Sequence, residues 1–162
     1  MDLFIGHTSR KHDDIEITVP RAAFGEVAAA LPEYEWDVVG GGMVWSYADV
    51  ADQPELHQTW LRDISTGSYH LDVFREPHAG DQWICRRDPS ITLPYAELIE
   101  IGDAGIPYVI PEVTLLFKAK AHRPKDNSDF ARVIPLLPDH RITRLAEWLG
   151  RVHPGHEWLA AL

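Results

Sequence analysis

Residues 6–18, GHTSRKHDDIEIT, join a short polar loop to an alternating run. The loop closes on His12, Asp13 and Asp14, and Ile15, Glu16, Ile17, Thr18 and Val19 then alternate with the period of a strand. A spacing of two puts the carboxylates of Asp14 and Glu16 on one face, and turns Ile15 and Ile17 to the opposite face, toward a core. Two acids aimed from one strand face repel each other unless a positive charge stands between them. The residue types suit a divalent metal or an arginine.

Working outward, Pro20 and the RAAFGEVAAAL that follows predict a helix with proline in its first turn and Phe24, Val27, Ala28 and Leu31 on its apolar side. Residues 36–39 and 43–47 flank Gly40-Gly41-Gly42 and predict a hairpin. Strands are expected over residues 57–64, 68–75 and 82–87. In the second of these, Leu71 and Val73 share one face while His70, Asp72 and Phe74 share the other. Residues 99–101 and 106–109 form a further hairpin around Gly102-Asp103-Ala104-Gly105. From Pro111 the period changes toward 3.6, giving helices from Pro111 to a break at His122-Arg123-Pro124, over residues 125–137 and 141–151, and a short last one over 154–162. Strands followed by helices predict an α+β domain, a mixed β-sheet with helices packed on one side. The domain is expected over residues 1–137, with a C-terminal helical extension over 138–162 packed on it.

Composition sets bounds. The 162 residues suffice for a sizeable core, and 45% hydrophobic with 25% charged residues is ordinary for a globular chain. A formal net charge of −10 argues against broad electrostatic binding to nucleic acid or anionic lipid, and suits a cationic or metal-bridged partner. One cysteine, Cys85, allows neither an intrachain disulfide nor a cysteine-based zinc site, and its place in a strand predicts a buried thiol. No apolar run reaches the length of a membrane span and no signal peptide opens the chain, so no membrane partner and a cytoplasmic location are expected.

Asp14 and Glu16 gain a candidate third partner in Asp72, which like Glu16 sits between apolar neighbours in an alternating strand. Three carboxylates from two strands can hold two magnesium ions roughly 3.5–4 Å apart, the arrangement used for in-line nucleotidyl transfer. Residues 10–16, RKHDDIE, resemble the R-x-H-x-D-[IL]-[DE] segment of nucleotidyltransferases of the DNA polymerase beta superfold, in the branch similar to aminoglycoside 2''-adenylyltransferases. Leu115-Leu116-Phe117-Lys118-Ala119-Lys120, then Arg123-Pro124-Lys125-Asp126 and Asp129-Phe130, resemble that branch's helical signature, and Trp60-Leu61-Arg62 leading to Leu71-Asp72-Val73 its middle segment. The His12-Asp13 pair is also similar to that of HD phosphohydrolases, but those need it on a helix, and β-branched residues follow here.

The resemblance implies a magnesium-dependent transfer of a nucleoside monophosphate, AMP from ATP, to a hydroxyl of a small, aminoglycoside-like acceptor. Asp14 and Glu16 would be metal ligands. Asp72 would be both metal ligand and catalytic residue, assisting deprotonation of the acceptor hydroxyl. Arg10, His12 and Lys118 would bind nucleotide. Structural readings stand beside these: Arg10 and His12 stabilising their loop, Lys118 at the solvated edge of a packed helix, and Lys125, Asp126 and Asp129 in a charged network tying two helices. The family carries a Gly-Gly or Gly-Ser pair on a helix just upstream of the position matching Asp2, where backbone amides cradle phosphate. Met1-Asp2-Leu3-Phe4-Ile5-Gly6 reads as the end of such a helix. The expectation is therefore either a truncated start or a non-catalytic binding module of the same fold.

Overall fold

The computed structural model describes residues 1–12, 14–121 and 123–162. The His12-Asp13 pair and the helix break at His122 thus each include a residue outside the described ones. The chain runs α1 (Asp2–Ile5), β1 (Glu16–Pro20), α2 (Phe24–Ala29), β2 (Tyr34–Gly40), β3 (Met43–Ser46), α3 (Tyr47–Val50), β4 (Gln58–Asp63) and β5 (Tyr69–Glu76). It continues with β6 (His78–Ala79), β7 (Gln82–Ile84), β8 (Thr92–Pro94), α4 (Tyr95–Leu98), β9 (Ile99–Ile101) and β10 (Pro107–Val109). Three helices follow: α5 (Pro111–Lys118), α6 (Pro124–Val133) and α7 (Asp139–Val152). This is an α+β chain with a mixed sheet. It divides into a sheet unit, Lys11–Arg86, and a helical unit made of Met1–Arg10 and Arg87–Leu162. The helices expected as an extension from residue 138 lie in the same unit as residues 87–137.

In the sheet unit five strands lie in the order β1-β5-β4-β2-β3. β1 pairs with β5 in parallel and every other pairing is antiparallel. Alternation sorts the side chains. Trp36, Leu61 and Val73 face the same way as Val19 and Leu71, and Phe24 of α2 closes over them with Val27, Ala28 and Leu31. The Phe24 ring meets Trp36 edge-on at 5.0 Å and Tyr47 at 4.8 Å. The buried Arg75 shares this face, its guanidinium 5.0 Å from the Tyr47 ring and 5.6 Å from Phe24, an apolar setting that the aromatic faces make tolerable for a cation.

The β2–β3 hairpin turns on Gly41 and Gly42 at φ +55° and +79°, the pair of left-handed residues that a tight two-residue turn demands. Gly40 needs its bare Cα for another reason: a Cβ there would stand 2.6 Å from Leu56 Cδ2. Gly40→Ala is expected to cost about 1 kcal/mol as that leucine is displaced, read as a lower urea midpoint.

Two expectations need correction here. Ile15 is 64% exposed and Ile17 36%, so the apolar partners of the acid pair do not enter the core. β1 is an edge strand, and α2 has only six residues, so of β1's apolar side chains it is Val19 that packs on the core cluster. Pro20 closes β1 and does not begin a helix, because an edge strand tolerates the missing N–H; a 3₁₀ turn over Arg21–Ala23 precedes α2.

In the helical unit, Pro111 opens α5 and Glu112 sits in its first turn. Leu115 and Leu116 of α5 are buried, as are Leu145, Trp148 and Leu149 of α7 and Phe130 and Val133 of α6. Phe130 stacks on Trp158 at 4.4 Å. The C-terminal carbonyls of α5 are met by side chains: Arg87 donates to Leu116 O at 2.9 Å and Phe117 O at 3.1 Å. The β9–β10 hairpin turns at Gly102 and Gly105 as expected. Among the described residues no helix is long and apolar enough to cross a membrane.

Candidate functional site

The parallel register of β1 on β5 pairs Glu16 with Asp72 and Ile17 with Val73. It is locked where the Asp72 N–H donates to Ile15 O at 2.9 Å. Laterally paired residues of a parallel ladder share a face, and adjacent strands lie about 4.8 Å apart. Glu16 and Asp72 are therefore neighbours on the face opposite Val73 and the aromatic core. Asp14, two residues before Glu16, lies close enough for its charge to act on Asp72. Burial is the main influence holding the Asp72 carboxyl above the usual range, with Asp14 adding to it, while the N–H groups of Gln58 and Trp60 pull the other way.

The same face carries more than the acids. Gln58 Nε2 donates to Asp72 Oδ2 at 2.7 Å. Trp60 is the residue of β4 paired with Asp72, and its ring lies 4.9 Å from Tyr69. The Tyr69 hydroxyl donates to Asp37 Oδ2 at 3.0 Å, and Arg62 Nε donates to the same oxygen at 2.6 Å. The hydrogen bond from Arg62 is the main cause that holds Asp37 below the usual carboxylate range. Asp37 is thus a neutralised acid, whereas Asp14 and Glu16 have no cation beside them among the described residues. Gln58, Asp37 and Tyr69 were not singled out from sequence. The alternation of residues 57–64 carried the signal for Gln58, since it places Gln58, Trp60 and Arg62 on one face against Thr59 and Leu61.

Arg10 and Lys118 belong to the helical unit, where both reach one acid. Lys118 Nζ stands 3.1 Å from Asp129 Oδ2 and 3.1 Å from Asp126 Oδ1, and Arg10 Nε is 3.7 Å from Asp129 Oδ1. Arg123 completes the cluster, its backbone N–H and Nε donating to Asp126 Oδ2 at 3.0 and 2.9 Å. A charged network thus ties the two helices through Asp126 and Asp129 as expected, but its bridging cation is Lys118 of α5, in the place expected for Lys125. His12 is exposed in the loop before β1. Cys85 is a buried free thiol, as expected.

Glu16 and Asp72 offer carboxylate oxygens, the donor chemistry a hard cation such as magnesium prefers, beside the amide nitrogen of Gln58 and the indole of Trp60. The side chains of the described residues are not closed into a group of three or more His, Cys, Asp or Glu placed to hold a metal ion. What the backbone supplies is the lateral pairing of two acids with a third two residues along. Compared with known proteins, the chain matches no family model, no curated protein and no solved structure.

Proposed function

We propose that the chain is a magnesium-dependent nucleotidyltransferase that moves AMP from ATP to a hydroxyl of a small acceptor, with Asp14, Glu16 and Asp72 as its carboxylates. The observation that carries this reading is the register pairing of Glu16 with Asp72 across two parallel strands. The resemblance of residues 10–16 and 115–130 to nucleotidyltransferase segments supports it.

Bound magnesium would supply charge stabilisation at the triphosphate. The chain's own part centres on Asp72. A carboxyl held above the usual range by burial is a better proton acceptor than an exposed aspartate. It would take the acceptor's hydroxyl proton as that oxygen bonds to the α-phosphorus and the bond to the leaving pyrophosphate breaks. Gln58 and Trp60, which flank Asp72, would steady it for that transfer. Lys118, in this reading, holds α5 to α6 through Asp126 and Asp129 and leaves the phosphates to other groups.

Magnesium with ATP is expected to raise the melting temperature of the wild type by several degrees, and Asp72→Asn to remove that rise. A wild type that shows no rise with magnesium and ATP overturns the enzyme reading, and leaves the chain as a binding module of the same architecture.

A further inference from the structure

We propose that His57 is a proton-operated latch on residues 53–57: its neutral ring helps Arg21 hold the carbonyls of that segment, and its protonation drives Arg21 off them. The segment carries the chain from α3 into β4, and one guanidinium gathers it. Arg21 Nη1 donates to Gln53 O at 3.3 Å, and Nη2 donates to Pro54 O at 2.7 Å and Leu56 O at 3.0 Å. Nη2 also stands 3.2 Å from His57 Nδ1. A guanidinium can only donate, so Nδ1 meets it with a lone pair. The same Nδ1 lies 3.3 Å from Arg75 O, which can only accept. One ring nitrogen thus faces a donor and an acceptor, and its proton decides which it bonds. Held by Arg21, the neutral ring carries its proton on Nε2. Protonated, Nδ1 turns to Arg75 O, and a positive ring stands where Arg21 had an acceptor.

The surroundings favour the neutral ring. Burial is the main influence that keeps His57 below its ordinary 6.5; the cations Arg86, Arg21 and Arg75 add to it, and the Arg75 carbonyl opposes them. Glu76 pairs with Arg86, while Tyr47, Glu55 and Glu76 act on Arg21. His78, whose Nε2 takes the Ala22 N–H at 3.4 Å, is a second histidine beside this turn. Of the two arginines that share Leu56 O, Arg75 is the one that cannot leave. It is 1% exposed, bonds Leu56 O through Nη2 at 2.9 Å and lies against the Tyr47 and Phe24 rings. Arg21 is half-buried and Gln53, Pro54 and Glu55 are exposed, so release delivers the cation and the carbonyls to water.

The sign follows from linkage. An open segment frees a ring that takes its proton at the ordinary 6.5, whereas the latched ring takes it only at lower pH. Opening is therefore suppressed above 6.5 and grows as pH falls toward the latched ring's own value, by at most about tenfold per pH unit for one proton. Amide hydrogen exchange read by NMR between about pH 8 and pH 5, corrected for the intrinsic rate, tests this above the range where ordinary carboxylates titrate. The Leu56 N–H, bonded to Gln53 O, is expected to lose protection several-fold below pH 6.5, in step with the titration of the His57 ring. His57→Asn sets an amide oxygen in the place of Nδ1, an acceptor for Arg21 that takes no proton, and its Leu56 protection should stay level with pH. Arg21→Gln should leave Leu56 poorly protected throughout, without the response to pH, and it serves if the asparagine variant does not fold. Wild-type protection that does not change with pH overturns the latch. So does a fall that persists in His57→Asn, which would point to His78, or one that persists in Arg21→Gln.

Discussion

Glu112→Gln will destabilise the helical unit by about 3 kcal/mol, at the low end of the cost of removing one partner from a buried ion cluster. Glu112 is fully buried in the first turn of α5. Arg141 Nε donates to its Oε1 at 2.7 Å and Arg141 Nη2 to its Oε2 at 2.5 Å, and Arg144 Nη2 also bonds Oε1. Burial on its own pushes this carboxyl up. The hydrogen bonds from the two arginines outweigh it, so the group sits below the usual range and is charged at neutral pH. Glutamine keeps one acceptor oxygen but turns an NH₂ toward a guanidinium, which leaves cations without a counter-charge on α7. The Glu100 carboxylate, which takes Arg141 Nη1 at 2.8 Å, is about a third exposed and compensates only in part. Urea denaturation checks this, with Glu100→Gln as the comparison expected to cost no more than about 1 kcal/mol. A Glu112→Gln midpoint no lower than that of Glu100→Gln would show that the cluster contributes little.

The contrast between these two acids shows what the sequence made legible and what it did not. Local pattern located the elements. Alternation of two found β1, the β2–β3 hairpin and the faces of β5, and the change of period at Pro111 found the helical half. Position within an element was also readable, as with Glu112 in a first turn. Depth was not. Ile15 and Ile17 have the residue type and period of a core strand, yet Ile17 lies on an edge strand, Ile15 just before it, and both stay exposed, because strand order and helix length decide burial and both arise from distant residues. The candidate site behaves the same way. Asp14 with Glu16 is a local pattern, but the pairing of Glu16 with Asp72 joins residues 56 apart through a register that no local signal states. Gln58 was legible as a strand residue and illegible as the donor to Asp72, since that depends on a diagonal between two strands. The charged network on α6 was expected around Lys125, whereas the cation placed between Asp126 and Asp129 is Lys118, which comes from the preceding helix.

Lys118→Met is accordingly expected to lower stability with neither nucleotide nor metal present, by about 3 kcal/mol. Asp126 and Asp129 are both almost fully buried, and each gives an oxygen to the same ammonium at 3.1 Å. The methionine keeps the stem's apolar packing but leaves two acids sharing what Arg123 and Arg10 supply from their edges. The pH dependence separates this from a loss of packing. Burial pushes the Asp126 carboxyl up, but hydrogen bonds from Arg123 and Lys118 outweigh it and hold the group at about 2, below its ordinary 3.8. A carboxyl depressed on folding stabilises the folded state above its unfolded value, and that contribution disappears as pH falls through the folded one. For Asp126 it is roughly 2 kcal/mol, present above pH 3.8 and lost on the way down to about 2. Without Lys118 the folded value rises, so the variant should lose less stability than wild type across that interval, from a lower starting point. Thermal melts between pH 6 and about pH 2 by circular dichroism would show the two curves converging toward acid. Parallel curves would mean that the lysine contributes packing and no charge. Unchanged stability together with weakened ATP binding would instead return Lys118 to the nucleotide, because an ammonium already committed to two buried carboxylates cannot be withdrawn without cost.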